Sequence, residues 1–227
     1  APELLANHPY DGQFGWFITS YIAGGKIIPL GVNFSTAKQK EEIARCYLDY
    51  RFNFPKAWRK KQLREEKGAE VIIKQRIKRW EALAKGRKSD ISLAKGSIKR
   101  AKDIIGREYG QIKLWWTHGH FCNREIIKTG NLYYLTDFAH VKYYPELYEL
   151  ALVIWSLSLE NNMERITAES WIEEIKKWES IYLSIIAPAF DYDKDDFKKI
   201  LRLNILERSL GAILADIGAS DRPPGLK

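Results

Sequence analysis

The chain has 227 residues, 45% of them apolar and 13% aromatic, which is material for one large packed core and too much for a disordered tail. Apolar runs such as Leu150 to Leu157 fall short of a membrane span, Ala1 to Pro9 lack the basic-then-apolar order of a secretory signal, and two cysteines, Cys46 and Cys122, are too few for a disulfide framework. A reducing, cytoplasmic setting is expected, and the net charge of +8 is concentrated: Lys56 to Lys102 holds 17 Lys or Arg against 5 Asp or Glu, a net +12, leaving −4 elsewhere.

Trp16 to Ile22 is rich in β-branched and aromatic residues and ends at Gly24-Gly25, so it predicts a strand running into a turn. Thr36 and Gln39 have capping-box spacing, with Ile43, Tyr47 and Tyr50 following on one helical face and Pro55 as a stop. Two basic amphipathic helices come next. Ile73, Ile77, Trp80 and Ala84 form one apolar stripe, and Ile91, Ala94, Ile98, Ala101 and Ile105 the other, with a break at Gly86 and Ser89. Their Lys and Arg are expected to face outward. A block this basic suits an anionic partner; its plainer reading is a solvated helical surface.

The texture then changes. Ile112 to Thr117 predicts a short strand, His118 to Arg124 a loop, and Leu132 to Thr136 another strand after a Gly130-Asn131 turn. Leu147 to Leu159 is apolar nearly all round and reads as a buried helix. Two amphipathic helices close the chain. One carries Trp171, Ile175, Trp178, Tyr182 and Ile185. The other carries Phe197, Ile200, the polar Asn204, Ile213 and Ile217, with Gly218 as its cap. The sum is a mostly α-helical (α+β) fold with a few short strands near the middle, and no internal repeat.

The chemistry concentrates in His118-Gly119-His120-Phe121-Cys122-Asn123-Arg124-Glu125, followed by a hairpin and Leu135-Thr136-Asp137-Phe138-Ala139-His140. This order resembles the aminoglycoside phosphotransferase and choline kinase family. There a His-Gly-Asp loop ends in an Asn five residues after the Asp, and a strand leads to an Asp-Phe or Asp-Trp pair. Tyr148-Glu149-Leu150-Ala151 stands where that family often has Tyr-Asp-Leu-Ala, and Trp16 to Gly24 resembles the hinge strand between its two lobes. The resemblance implies the C-terminal lobe of a protein-kinase-like fold over residues 1–227, with a hinge-like strand region at 1–30 and a helical lobe at 31–227.

It also implies ATP and Mg²⁺ as cofactors. Phosphoryl transfer needs positioning and charge neutralisation more than covalent help. By the resemblance, Asp137 holds the metal, Ser20 and Ile22 of the hinge segment meet the nucleotide, and His118 braces the loop. Two positions depart from the pattern: the family's loop Asp falls on His120 and its Asn on Glu125. Either His120 serves as base and Glu125 as the second Mg²⁺ ligand, or catalysis is lost and a pseudokinase-type binding module remains, holding an anionic partner on its basic surface. The family's phosphate-gripping lysine has no counterpart in Ala1 to Gly15, so ATP binding by these residues alone is expected to be poor, the sequence being a piece of a longer protein or one that has lost the lobe.

The basic block lies where the family builds its substrate wall, so a small anionic or neutral substrate is expected rather than a polycationic aminoglycoside. Nucleic acid or an anionic surface could use residues 56–102, with Trp58 and Trp80 available to stack on bases or, more simply, to fill core. A third pattern shares residues with the loop. His118, His120 and Cys122 alternate, so an extended segment turns them to one side, where Asp137 and His140 could complete a Zn²⁺ site. The kinase-like order already accounts for His118 and Asp137 and is preferred.

Overall fold

The computed structural model describes residues 36–53, 68–86, 94–122, 125–130, 132–138, 141–159 and 167–216, and the backbone of 4–8, 16–19 and 26–27. The fold is mostly α, with helices around short antiparallel strands. Near the start, β1 (Leu4–His8) pairs with β2 (Trp16–Thr19). The strand expected over Trp16 to Ile22 is thus found in its first part; Ser20, Ile22 and Gly24-Gly25 lie outside the described residues. A two-residue strand, β3 (Lys26–Ile27), joins the edge of a later hairpin.

Helix α1 (Ala37–Phe52) starts at the predicted capping box. The Gln39 N–H donates to Thr36 Oγ1 at 3.3 Å, and the Thr36 N–H to Gln39 Oε1 at 2.8 Å. It buries Ile43, Ala44, Cys46 and Tyr47. Helices α2 (Ala69–Gly86) and α3 (Lys95–Glu108) bury the expected stripes: Ile73, Ile77, Trp80 and Ala84 on one, Ile98, Ala101 and Ile105 on the other. The bases on them point mostly to solvent. Arg76 turns inward instead, to Glu207 at 2.8 Å, because that buried carboxylate needs a counter-charge.

A 3-10 turn (Tyr109–Gln111) delays the next strand, so β4 is Leu114–Thr117 and not Ile112 onward. The hairpin is β5 (Ile126–Thr129) and β6 (Leu132–Leu135), turning at Gly130, whose φ of +55° is one that glycine adopts without cost. A strand that the sequence did not announce, β7 (Lys142–Pro145), pairs antiparallel with β4, from Leu114 opposite Pro145 to Thr117 opposite Lys142. The all-apolar segment is α4 (Tyr148–Ile154), continuing as a π turn over Trp155–Leu159. Then follow α5 (Ala168–Ile185) and α6 (Lys194–Gly211). No described helix is long and apolar enough to cross a membrane.

Two cores result. The larger gathers Ile43, Tyr47, Phe121, Leu150, Val153, Trp178, Tyr182 and Phe197 from α1, the loop and α4 to α6. The smaller lies between α2, α3 and α6 around Ile73, Trp80, Ile105, Tyr109 and Leu210. Each fully buried large apolar side chain contributes about 1.5–3 kcal/mol. Asn204, the polar interruption of α6, is fully buried and ties the parts together. It accepts from Tyr109 Oη at 2.6 Å and donates to the Glu146 carbonyl at 2.9 Å.

Candidate functional site

The segment His118 to Cys122 leaves β4 as a loop, and three side chains fix it. Phe121 is fully buried, with its ring 5.4 Å from Tyr47 and stacked at 5.5 Å on Tyr50. His118 is also fully buried, and its Nε2 lies 2.6 Å from the Thr136 carbonyl oxygen. A carbonyl can only accept, so Nε2 carries the proton in this contact. Its ring stands edge-on to Phe138 at 4.8 Å. The loop is thereby tied to the end of β6, one residue before Asp137.

The third anchor belongs to the Tyr148-Glu149-Leu150-Ala151 motif, but its role was not read from sequence. Glu149, in the first turn of α4, is fully buried, and its Oε1 accepts the His118 N–H at 2.6 Å and the Gly119 N–H at 3.4 Å. Tyr50 Oη donates to the same oxygen at 3.3 Å, and Arg51 Nη1 lies 3.9 Å from Oε2. Arg51 also reaches the Trp116 carbonyl and covers the Trp115 ring at 4.0 Å. Burial pushes the Glu149 carboxyl up to about 7, opposed by Arg51 and the two N–H donors. A lone glutamate inside an apolar helix was the available signal, since such a charge must have partners waiting for it.

His120 and Glu125 meet at the outer end of the loop, with Nδ1 and Oε1 3.6 Å apart. The Glu125 N–H donates to the Cys122 carbonyl at 3.0 Å, closing a turn that returns Glu125 over the loop. Thr136 then holds it from the other side: its N–H donates to the Glu125 carbonyl at 2.9 Å and its Oγ1 to Glu125 Oε2 at 3.0 Å. His120 is half-exposed, Glu125 less so, and Cys122 is buried. Asp137 is exposed and adopts φ +54°, in the left-handed region.

His118, His120, Glu125 and Asp137 therefore converge on one edge of the lobe, around Thr136. The alternation expected to turn His118, His120 and Cys122 to one side holds only in part. His118 is drawn to Thr136, while one ligand atom each of His120, Cys122 and Glu125 lie within 4.8 Å of one another. Asp137 does not join that group, and His140 lies outside the described residues. Trp80, considered for stacking on bases, is core at 8% exposure, and Trp58 lies outside the described residues.

No protein-family model matches the chain, and a search of curated proteins finds no match. Among solved structures, it is similar to a choline/ethanolamine kinase family protein from Mesorhizobium loti, at 15% identity over 96% of this chain and 78% of that one, with a TM-score of 0.43.

Proposed function

We propose that this is a phosphotransferase-like protein of kinase fold, acting on or descended from transfer of a phosphoryl group from ATP to a hydroxyl of a small, non-cationic substrate in the cytoplasm. The observation that supports it is the docking of the His118–Glu125 loop against the residues beside Asp137, through His118 Nε2 and Thr136 O at 2.6 Å. Phosphoryl transfer calls for such rigidly held groups.

The donors suit Mg²⁺: Glu125 and Asp137 offer hard carboxylate oxygens, the first bound to Thr136 and the second next to it in sequence. In this reading those two hold the ion, which neutralises phosphate charge. His120 takes the proton of the attacking hydroxyl, and His118 keeps the loop backbone in place. Ser20 and Ile22 would meet the nucleotide. The exposed bases of α2 and α3, among them Lys78, Arg79, Lys99 and Arg100, favour an anionic or neutral substrate and disfavour an aminoglycoside. The same basic face supports a second reading, a catalytically inactive module that holds an anionic partner, nucleic acid or an anionic surface included.

Asp137→Asn separates the two. Asn tolerates the left-handed backbone of this position as Asp does, so the fold is retained. Isothermal titration of the full-length protein with Mg²⁺ and ATP is expected to show binding by the wild type and none by Asp137→Asn, with melting temperatures alike. A full-length wild type without magnesium-dependent ATP binding would sink the transferase reading in favour of the binding module.

A further inference from the structure

We propose that His120, Cys122 and Glu125 form a three-ligand site for a divalent transition-metal ion of the zinc class. An imidazole nitrogen, the Cys122 Sγ and a Glu125 carboxylate oxygen all lie within 4.8 Å of one another. The measured His120 Nδ1 to Glu125 Oε1 separation is 3.6 Å. Two ligands on ~2.0 Å bonds in a tetrahedron stand about 3.3 Å apart, so the His120–Glu125 pair needs only a small contraction; with a ~2.3 Å bond to sulfur, the thiolate belongs about 3.5 Å from each, a closure of up to about 1.3 Å.

The convergence is local in origin. Phe121 is locked into the core, which turns its neighbours His120 and Cys122 to the opposite side of the segment. The turn closed by the Glu125 N–H on the Cys122 carbonyl brings the carboxylate back over them. Thr136 Oγ1 occupies Glu125 Oε2 and leaves Oε1 directed at His120, which is how an outer-shell hydroxyl orients a ligating carboxylate.

The donor chemistry sets the ion. Imidazole and thiolate are softer than Mg²⁺ prefers, whereas nitrogen, sulfur and carboxylate together suit Zn²⁺ and Co²⁺. Three protein donors leave a fourth position, on the side where His120 is 42% exposed, for water or a donor atom of a bound molecule. Cys122 gives up its thiol proton as the ion binds, so binding releases a proton and strengthens as pH rises. The site needs neither nucleotide nor Asp137. It competes with the phosphotransferase reading, because an ion here engages the same His120 and Glu125 that the reading uses otherwise, and its test is made without nucleotide.

Cobalt titration of the whole chain, without nucleotide, tests this. One equivalent of Co²⁺ is expected to produce a near-ultraviolet thiolate-to-cobalt band together with the visible bands of a tetrahedral site. Cys122→Ser should lose the near-ultraviolet band. Cys46→Ser should keep it, since that thiol lies in the core and burial pushes it up to about 12. His120→Ala, at a half-exposed position, should weaken Co²⁺ binding by more than about 100-fold, beyond the loss of an outer partner. A wild type without the thiolate band, a band that survives Cys122→Ser, or unchanged affinity in His120→Ala would each overturn the proposal. If Cys122→Ser fails to fold, His120→Ala and Glu125→Gln decide it, and retained affinity in both is fatal.

Discussion

The carboxylate of Glu149 reaches the backbone of His118 from inside the lobe, Oε1 to N at 2.6 Å, so a buried acid in α4 sets the position of the loop that carries the chemistry. Of the loop's own side chains, His118, Phe121 and Cys122 are buried and His120 is half-exposed. The loop's first two backbone amides, those of His118 and Gly119, donate to the Glu149 carboxylate.

This contact predicts a pH dependence. The Glu149 carboxyl is pushed up to about 7 from its ordinary 4.5, chiefly by burial. The folded protein therefore holds this proton more tightly than the unfolded chain does. Its stabilising contribution is complete below about pH 4.5 and is lost as pH rises through about 7. The full difference corresponds to about 3 kcal/mol at most. Glu149→Gln keeps an acceptor oxygen for the two N–H groups and cannot titrate. Urea unfolding from about pH 4.5 to about pH 8 should show the wild type losing stability relative to Glu149→Gln. A difference that stays flat across that range would mean that Glu149 does not titrate there.

Trp80 and Gly211 make a second test, one of packing. A Cβ added at Gly211 would stand 2.7 Å from Cζ2 and 2.8 Å from Cη2 of the Trp80 indole, a rigid ring buried between α2 and α6. Gly211→Ala should cost about 1–3 kcal/mol by overpacking. In a Trp80→Leu background the obstacle is gone, and the ordinary helix preference of Ala over Gly should return, a gain of about 0.5–1 kcal/mol. Unfolding curves of the four proteins give the answer. Equal costs in both backgrounds would show that Trp80 is not what requires the glycine.

What could be read from the sequence divides by range. The Thr36 capping box and the stripes through Ile73 and Ile98 are local patterns, and each is found where its spacing put it. The loop and its neighbours His118, His120, Glu125 and Asp137 were legible as an ordered set of motifs. Their mutual geometry was not. The Glu149 clamp spans 31 residues; the sequence shows Glu149 as a motif residue and as a charge in an apolar helix, but not as the partner of His118. Strand β7 escaped because Lys142-Tyr-Tyr-Pro begins with a charge and ends in proline, both of which argue against a strand. Its lysine is accommodated by lying over the Tyr144 ring at 4.5 Å, with burial lowering its ammonium to about 8. The diversion of His118 from the metal-like alternation likewise depends on Thr136, which is distant in sequence and adjacent in space.

Thr136 makes four contacts with the loop, and one substitution separates those of its hydroxyl from those of its backbone. Its carbonyl accepts from His118 and its N–H donates to the Glu125 carbonyl; both belong to the backbone and survive any side-chain change. Only Oγ1 reaches the Glu125 carboxylate, at 3.0 Å, and it also donates to the Glu125 carbonyl at 3.3 Å, which keeps the Thr136 N–H as a donor when the hydroxyl is removed. Thr136→Val keeps the β-branched shape and removes that hydroxyl, so the loop stays docked while Glu125 loses its orienting partner. If Glu125 is a ligand, its Oε1 is then no longer fixed toward His120, and Co²⁺ affinity should fall by roughly 10–100-fold, the usual cost of losing an outer-shell hydrogen bond. Stability should change little, since Thr136 is only partly buried and the freed carboxylate can reach water. The measurement is cobalt affinity beside urea unfolding. Unchanged affinity at unchanged stability would show that the Thr136 hydroxyl plays no part in presenting Glu125. A large stability loss would show that it holds the loop itself.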